Sequence, residues 1–428
     1  MKIAYIIPGF GGVFYCQNCF RDRNLLEIIK AKGHDAVTLP LYLPLQKRPG
    51  VNETVFFGAV NVYLREKFPS YQKAPQFIKR FFNNKFFLQI ASKFSSATSS
   101  VKLEDITLSM LRGELGSQRE DFNRIKEFLE KNKPDVVHLS NALLLGFAPA
   151  IQQLGIPVVC TLQDEDGWIN SMREPWRQKA WQLLSEMSHG VSFIAVSQYY
   201  LEKMKKLIEI DTAKSAVIPI GINPQFYLSA RPAFVPRRIG FLSRLSEQTG
   251  MGIIIDAFLL LKKEKAFSDL RLRLSGGLVS SDKPFLKKVL KKSGHSLAAD
   301  IEVDPDMYSR DPVSFFNGLS VLSVPVPGGD AFGTYIIEAM ACGIPAVQPQ
   351  EGGFPEIITA TNGGLIYSPN IPASLAEALR KLLLDPGKAK RMGEAAKDGV
   401  SRLYSMDKIA DEMIRFYGRV NTGQTRTF

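Results

Sequence analysis

Short apolar runs bounded by turn residues alternate with stretches of helical periodicity, and the alternation occurs in two successive blocks. Strands are expected at Ile3–Ile7, Ala36–Leu39, Asp135–Leu139, Val158–Leu162, Phe193–Val196 and Ala216–Ile218. A second set is expected at Arg238–Leu242, Leu270–Leu274, Val321–Val324, Ala346–Gln348 and Leu365–Ile366. Helices are expected between most of them, as at Arg21–Lys32, Glu120–Lys131, Arg173–Met187 and Gly252–Lys263. Such alternation argues for an α/β protein with parallel sheets covered by helices on both faces. At 428 residues the chain is long enough for two or three domains. A Pro-rich seam, Ser229-Ala-Arg-Pro-Ala-Phe-Val-Pro236, places the expected boundary between domains 1–230 and 237–404.

The densest chemistry lies in Gly328–Ile358, GGDAFGTYIIEAMACGIPAVQPQEGGFPEII. Asp330 and Glu338 stand eight residues apart, with Phe332-Gly333 between them. The pattern reads as a loop opening a helix. A helix start presents unsatisfied N–H groups and the positive end of the dipole, which together favour a phosphate. Carboxylates on either side accept hydrogen bonds from sugar hydroxyls. Phosphate and two sugars together outline a nucleotide-sugar.

This segment resembles the acid-x7-acid signature of retaining family-4 glycosyltransferases, the glycosyl transferase group 1 proteins of GT-B architecture. That signature begins with Glu, continues through Phe-Gly and ends in Glu-Ala-Met-Ala-Cys/Ala-Gly-x-Pro-Val. Asp330 replaces the first Glu, while Phe332, Gly333, Glu338, Ala339, Met340, Ala341, Gly343 and Pro345 match. Other landmarks are similar: Pro8-Gly-Phe-Gly11-Gly12 after the first strand, Gly33-His34-Asp-Ala-Val37, Asp135-Val-Val-His138, and Val217-Ile-Pro-Ile-Gly221-Ile-Asn223.

Two landmarks depart from the family. Thr161-Leu-Gln163-Asp164 stands where the family has Thr-x-His-Asp, so Gln163 replaces the histidine. Gln donates and accepts hydrogen bonds but shuttles no proton. Ser243-Arg244-Leu245 through Thr249-Gly250 resembles Gly-Arg-Leu-x3-Lys-Gly, with Arg244 kept and Thr249 in place of the Lys. Cations there neutralise the charge that grows on a departing diphosphate.

The resemblance implies two Rossmann-like domains whose parallel sheets face an interdomain cleft, with a last helix, about 405–420, crossing back to the first domain. It implies a retaining transferase that moves a hexose from a UDP- or GDP-sugar to a hydroxyl of a glycan or lipid-linked acceptor. No cofactor beyond the donor, and no metal, is expected. By residue, it assigns ribose binding to Glu338, donor-sugar hydroxyls to Asp330, the leaving diphosphate to Arg244 and a phosphate cradle to Phe332, Gly333 and Thr334. Gly11, Gly12 and Gln163 would shape the reacting centre from the first domain. The three departures, Asp330, Gln163 and Thr249, keep open a catalytically weak module that binds nucleotide-sugar or glycan. A nucleotide-sugar epimerase of the same architecture is the remaining alternative.

Other features bound the reading. Four cysteines in this length suggest no disulfide framework. The N-terminal apolar run is short and stops at Pro8, which fits a buried strand and not a signal peptide, and no apolar run approaches eighteen residues. A cytoplasmic protein, peripheral on the inner face of the membrane, is the resulting expectation. Cys16-Gln-Asn-Cys19 has redox spacing without the surrounding pattern of a thioredoxin, and packing beside the glycine loop is the plainer account. His138 is open between a functional role and a packed one. Asp164-Glu-Asp166 and Asp304-Pro-Asp306 spell a metal-binding Asp-x-Asp, a match too short to carry weight among 42 acids.

The net charge of +12 implies an anionic partner. Leu64–Lys102 interleaves Arg65, Lys67, Lys73, Lys79, Arg80, Lys85 and Lys93 with seven phenylalanines. This composition suits an anionic membrane face; the alternative is a helix whose Phe side is core. No nucleic-acid module is recognisable.

Overall fold

The computed structural model describes residues 1–9, 17–43, 103–292, 294 and 298–423. Gly11, Gly12, Cys16 and the segment Leu64–Lys102 lie outside them, and Cys19 falls within the helix Gln17–Ala31. Two compact units are present. The first comprises Met1–Ile218 with Ile409–Phe428, and the second Pro219–Lys408.

The first unit holds a parallel sheet of β1 (Lys2–Gly9), β2 (Asp35–Leu43), β3 (Val136–Leu139), β4 (Val158–Leu162), β5 (Ser192–Ala195) and β6 (Ser215–Val217), in the order β2-β1-β3-β4-β5-β6. β3, β4 and β5 are buried at every residue, as strands covered by helices on both faces must be. The helix Met406–Thr422 contributes Tyr417, fully buried, to this unit's core.

The second unit holds β7 (Arg238–Leu242), β8 (Arg271–Ser275), β9 (Ile301–Val303), β10 (Val321–Leu322), β11 (Ala346–Pro349) and β12 (Gly364–Tyr367). Its order, β12-β11-β10-β7-β8-β9, is all parallel. Counted from its own first strand this is the doubly wound order 3-2-1-4-5-6. Winding reverses between β7 and β10, and ligands of such sheets bind where the loops leaving the carboxyl ends of those two strands diverge. In the first unit the reversal falls between β1 and β3.

Most expected strands are present within a residue or two. β9 is an addition: three residues at the sheet edge, with exposed Glu302 breaking the apolar run. The helix expected from Arg173 begins at Trp176, because Pro175 fits only at a helix start. The Pro-rich seam lies inside the second unit. Ala233 N–H donates to the Leu319 carbonyl, Ser320 Oγ donates to the Ala233 carbonyl, and Arg231 N–H donates to Asn317 Oδ1, so 231–233 runs bonded along Asn317–Ser320. Among the described residues no helix is long and apolar enough to cross a membrane.

Candidate active site

Three predicted residues, Arg244, Asp330 and Glu338, lie on the two segments that leave the winding reversal of the second unit. The turn after β7 carries Arg244, and the loop after β10 leads through Asp330 into the helix Thr334–Ala341, which carries Glu338. Gly333 opens that helix at φ 97°, and no side chain caps it. A Cβ at Gly333 would stand 2.9 Å from Ile336 Cδ1 and 3.0 Å from Phe354 Cε1, so glycine answers both backbone and space. Opposite, Gly352 at φ 62° lets its turn approach the Asp330 backbone, where a Cβ would lie 2.5 Å from the carbonyl oxygen. Gly353 N–H donates to that carbonyl at 2.9 Å, closing the two loops on each other.

Glu338 is 4% exposed. Its Oε1 accepts from Tyr308 Oη at 2.7 Å and from Tyr227 Oη at 3.0 Å, and its Oε2, also buried, has no partner. Burial pushes its pKa up to about 7, against the two tyrosine hydroxyls that pull it down. An unpartnered buried carboxylate oxygen is costly without a ligand, because the desolvation of that atom is uncompensated. Asp330 Oδ2 accepts from Tyr335 Oη at 2.7 Å. Phe332 is buried and packs edge-on against Tyr404, 5.8 Å between centroids, while Thr334 is the first helical residue.

Arg244 is half exposed and forks onto Asp282, with Nε 2.6 Å from Oδ2 and Nη2 3.1 Å from Oδ1. The pairing fixes the direction of the guanidinium. Thr249, standing where the resemblance has a lysine, donates to the carbonyls of Arg244 at 2.6 Å and Ser246 at 3.0 Å. Its hydroxyl closes the turn that carries Arg244.

Gln163 lies in the first unit, at the end of β4, and three bonds hold it. Its Oε1 accepts from Arg21 Nη2 at 2.6 Å, its Nε2 donates to the Ser140 carbonyl at 2.6 Å, and its N–H donates to Glu165 Oε2 at 2.8 Å. Asp164, next in the chain, takes the left-handed conformation at φ 84°. Glu165 is buried, which raises its pKa, and it also accepts from Ala142 N–H at 2.9 Å and Tyr200 Oη at 3.0 Å. His138 is packed: its ring nitrogens bond Tyr417 Oη at 2.6 Å and Thr161 Oγ1 at 2.7 Å. Burial, and then the charge of Arg21, push it down to about 3, so it stays neutral. Gly11 and Gly12 lie outside the described residues.

The Asp-x-Asp runs have ordinary partners. Asp166 pairs with Lys203 and accepts from Tyr200 Oη, and Asp304 pairs with Arg310. Among the described residues no three His, Cys, Asp or Glu side chains converge as metal ligands would. The partners Tyr227, Tyr308, Asp282, Arg21 and Glu165 escape a reading of sequence alone. Only Glu165 carried a local signal there, as the middle residue of Asp164-Glu-Asp166.

Two parallel, doubly wound units in one chain, one of them carrying an acid-bearing helix at its winding reversal, define the GT-B class of architecture. Residues 107–226 match the family model Glycosyltransferase Family 4, and residues 235–399 match Glycosyl transferases group 1. The chain belongs to this glycosyltransferase family. A D-inositol 3-phosphate glycosyltransferase of Streptomyces bingchenggensis is 31% identical over 138 residues, 31% of this chain and 30% of that protein, so the chain spans under a third of that relative. The protein of the same description from Pseudarthrobacter chlorophenolicus is 24% identical over 386 residues, 84% of this chain and 89% of that one. Among solved structures, Anabaena Alr3699/HepE in complex with UDP is 15% identical with a TM-score of 0.66, covering 98% of this chain and 100% of that one.

Proposed function

We propose that the protein is a retaining hexosyltransferase, taking a hexose from a UDP- or GDP-sugar to a hydroxyl of a glycan or lipid-linked acceptor, without metal or further cofactor. The observation that carries the proposal is Glu338: a buried carboxylate, held on one oxygen and unpartnered on the other, in the helix that follows the winding reversal. Its Oε2 takes the ribose hydroxyls of the donor. Asp330 takes donor-sugar hydroxyls, and the uncapped helix start at Phe332, Gly333 and Thr334 takes phosphate or sugar. Arg244, aimed by Asp282, neutralises the leaving diphosphate. Gln163, Gly11 and Gly12 are the candidate residues that the first unit contributes. The UDP complex of HepE fits the donor of this reading, and the glycosyltransferase descriptions of the relatives fit its reaction class. Leu64–Lys102 would bring the acceptor side to an anionic membrane face.

A second reading, a module that binds nucleotide-sugar with little turnover, is favoured by one observation. Thr249 supplies no cation, and its hydroxyl is engaged in its own turn.

A donor screen separates the two. Purified protein is offered UDP-, GDP- and ADP-sugars, with nucleotide diphosphate release and thermal shift followed together. Release with one donor, lost in Glu338→Ala, supports the transferase. A thermal shift without release, even with membrane extract as acceptor, supports the binding module. Isomerised donor would replace both with the epimerase.

A further inference from the structure

Glu338 meets two tyrosines from distant parts of the second unit. Tyr227 ends the 3-10 turn Pro224–Tyr227, and Tyr308 lies in the short helix Met307–Arg310. Both rings pack edge-on against Phe316, with centroids 6.0 and 6.3 Å away, and Tyr308 also meets Phe315 at 6.5 Å. Aromatic packing therefore fixes where each hydroxyl points. Both point at the same oxygen, Oε1, leaving Oε2 buried and bare. When ionised, Oε2 offers lone pairs to both hydroxyls of a vicinal diol. When protonated, it carries a hydrogen in the place where one of those hydroxyls must donate.

We propose that Tyr227 and Tyr308 are positioning residues that present Glu338 Oε2 to the nucleotide ribose and make nucleotide binding depend on pH through the ionisation of Glu338. This rests on the nucleotide-sugar reading above.

Two further facts support it. Burial brings Glu338 to about 7, so its charge changes across neutral pH, and removing a tyrosine donor raises it further. Tyr227 and Cys342 beside it do not compete in that range. Tyr227 is pushed up by burial, and Cys342, at the end of the same helix, is pushed up by burial and then by Glu338. Lys397, from the helix Pro386–Leu403, acts on Cys342 and lowers it, and β11 brings no titratable side chain to the helix.

The test is calorimetric titration of the full chain with UDP and with GDP from pH 5.5 to 9. Glu338→Gln serves as the baseline for titration of the ligand's own phosphate. Relative to that baseline, wild-type affinity should rise as pH passes through about 7 and then level off. Loss of one donor to the carboxylate in Tyr308→Phe should move the midpoint up by ~0.5–1 pH unit. Affinity at pH 7 should then fall ~2–6-fold, recovering to within about twofold at pH 9. Tyr227→Phe, with the longer bond, should shift less, and it carries the test if Tyr308→Phe does not fold.

A wild-type profile parallel to Glu338→Gln overturns the proposal. So does a Tyr308→Phe loss that is equal at every pH, which would mean the ring only packs. If the wild type binds neither nucleotide at any pH, the nucleotide-sugar reading itself fails and this inference goes with it.

Discussion

Gln163 and Glu338 are both buried polar residues, one in each unit, and they are left in opposite conditions. Gln163 is anchored at both ends of its side chain and at its backbone N–H. Glu338 is anchored on one oxygen only. A fully bonded buried amide stiffens the surrounding backbone and is costly to remove, because its partners lose their bonds. A half-bonded buried carboxylate weakens the fold, because the desolvation of its bare oxygen is uncompensated. The contrast separates a residue whose bonds are all made within the chain from one that keeps a buried oxygen bare.

The sharpest test of that contrast is Glu338→Ala. Nucleotide diphosphate release should fall ~10²-fold or more, the scale of losing charged hydrogen bonds to a ligand. The melting temperature should stay within a few degrees of wild type. A large stability loss with activity retained would invert the comparison.

The pH dependence of stability comes next. His138 is held near 3 in the fold against its ordinary 6.5, so the unfolded chain takes up its proton first. Its contribution is complete above 6.5 and is lost as pH falls towards 3, a difference of ~5 kcal/mol in all. Glu338, raised from 4.5 to about 7, works the other way. Its contribution is present below 4.5 and is lost as pH rises to 7, by ~3 kcal/mol. Denaturant melts of His138→Gln and Glu338→Gln should flatten the acid limb and the neutral limb respectively. A shared limb would show that the two residues do not differ as described.

Gln163→Ala should cost ~1–3 kcal/mol of stability, since Arg21 and the Ser140 carbonyl lose a buried partner. Its activity loss should be smaller than that of Glu338→Ala, as read from parallel melts and release assays. The smallest effect belongs to Tyr335→Phe, which frees Asp330 Oδ2 of one donor at ~1 kcal/mol or less and should change donor KM more than stability.

The fold was legible because buried parallel strands read as unbroken apolar runs, and β4 and β7 match their expected bounds residue for residue. β9 was not, because three edge residues with an outward Glu302 carry no such run. Within the site, Glu338 stands in a dense local motif, but its partners do not. Tyr308 lies 30 residues away and Tyr227 111 residues away, and Arg21 is 142 residues from Gln163. Spacing rules hold within one helix or one hairpin; contacts made by packing distant turns against a common aromatic cluster leave no period to read. Thr249 was visible as a substitution, yet its part in closing the Arg244 turn depends on backbone geometry that only coordinates contain.

The bond between His138 and Tyr417 spans 279 residues, and everything between Pro219 and Lys408 belongs to the other unit. During synthesis, therefore, β3 leaves the ribosome long before the side chain that completes its surroundings. All of the second unit's residues have emerged by then, so it can finish folding first. The first unit must wait, with the hydroxyl for His138 still to come, until the helix carrying Tyr417 is released. A chain truncated after Lys408 should present a mature second unit beside a protease-sensitive first one.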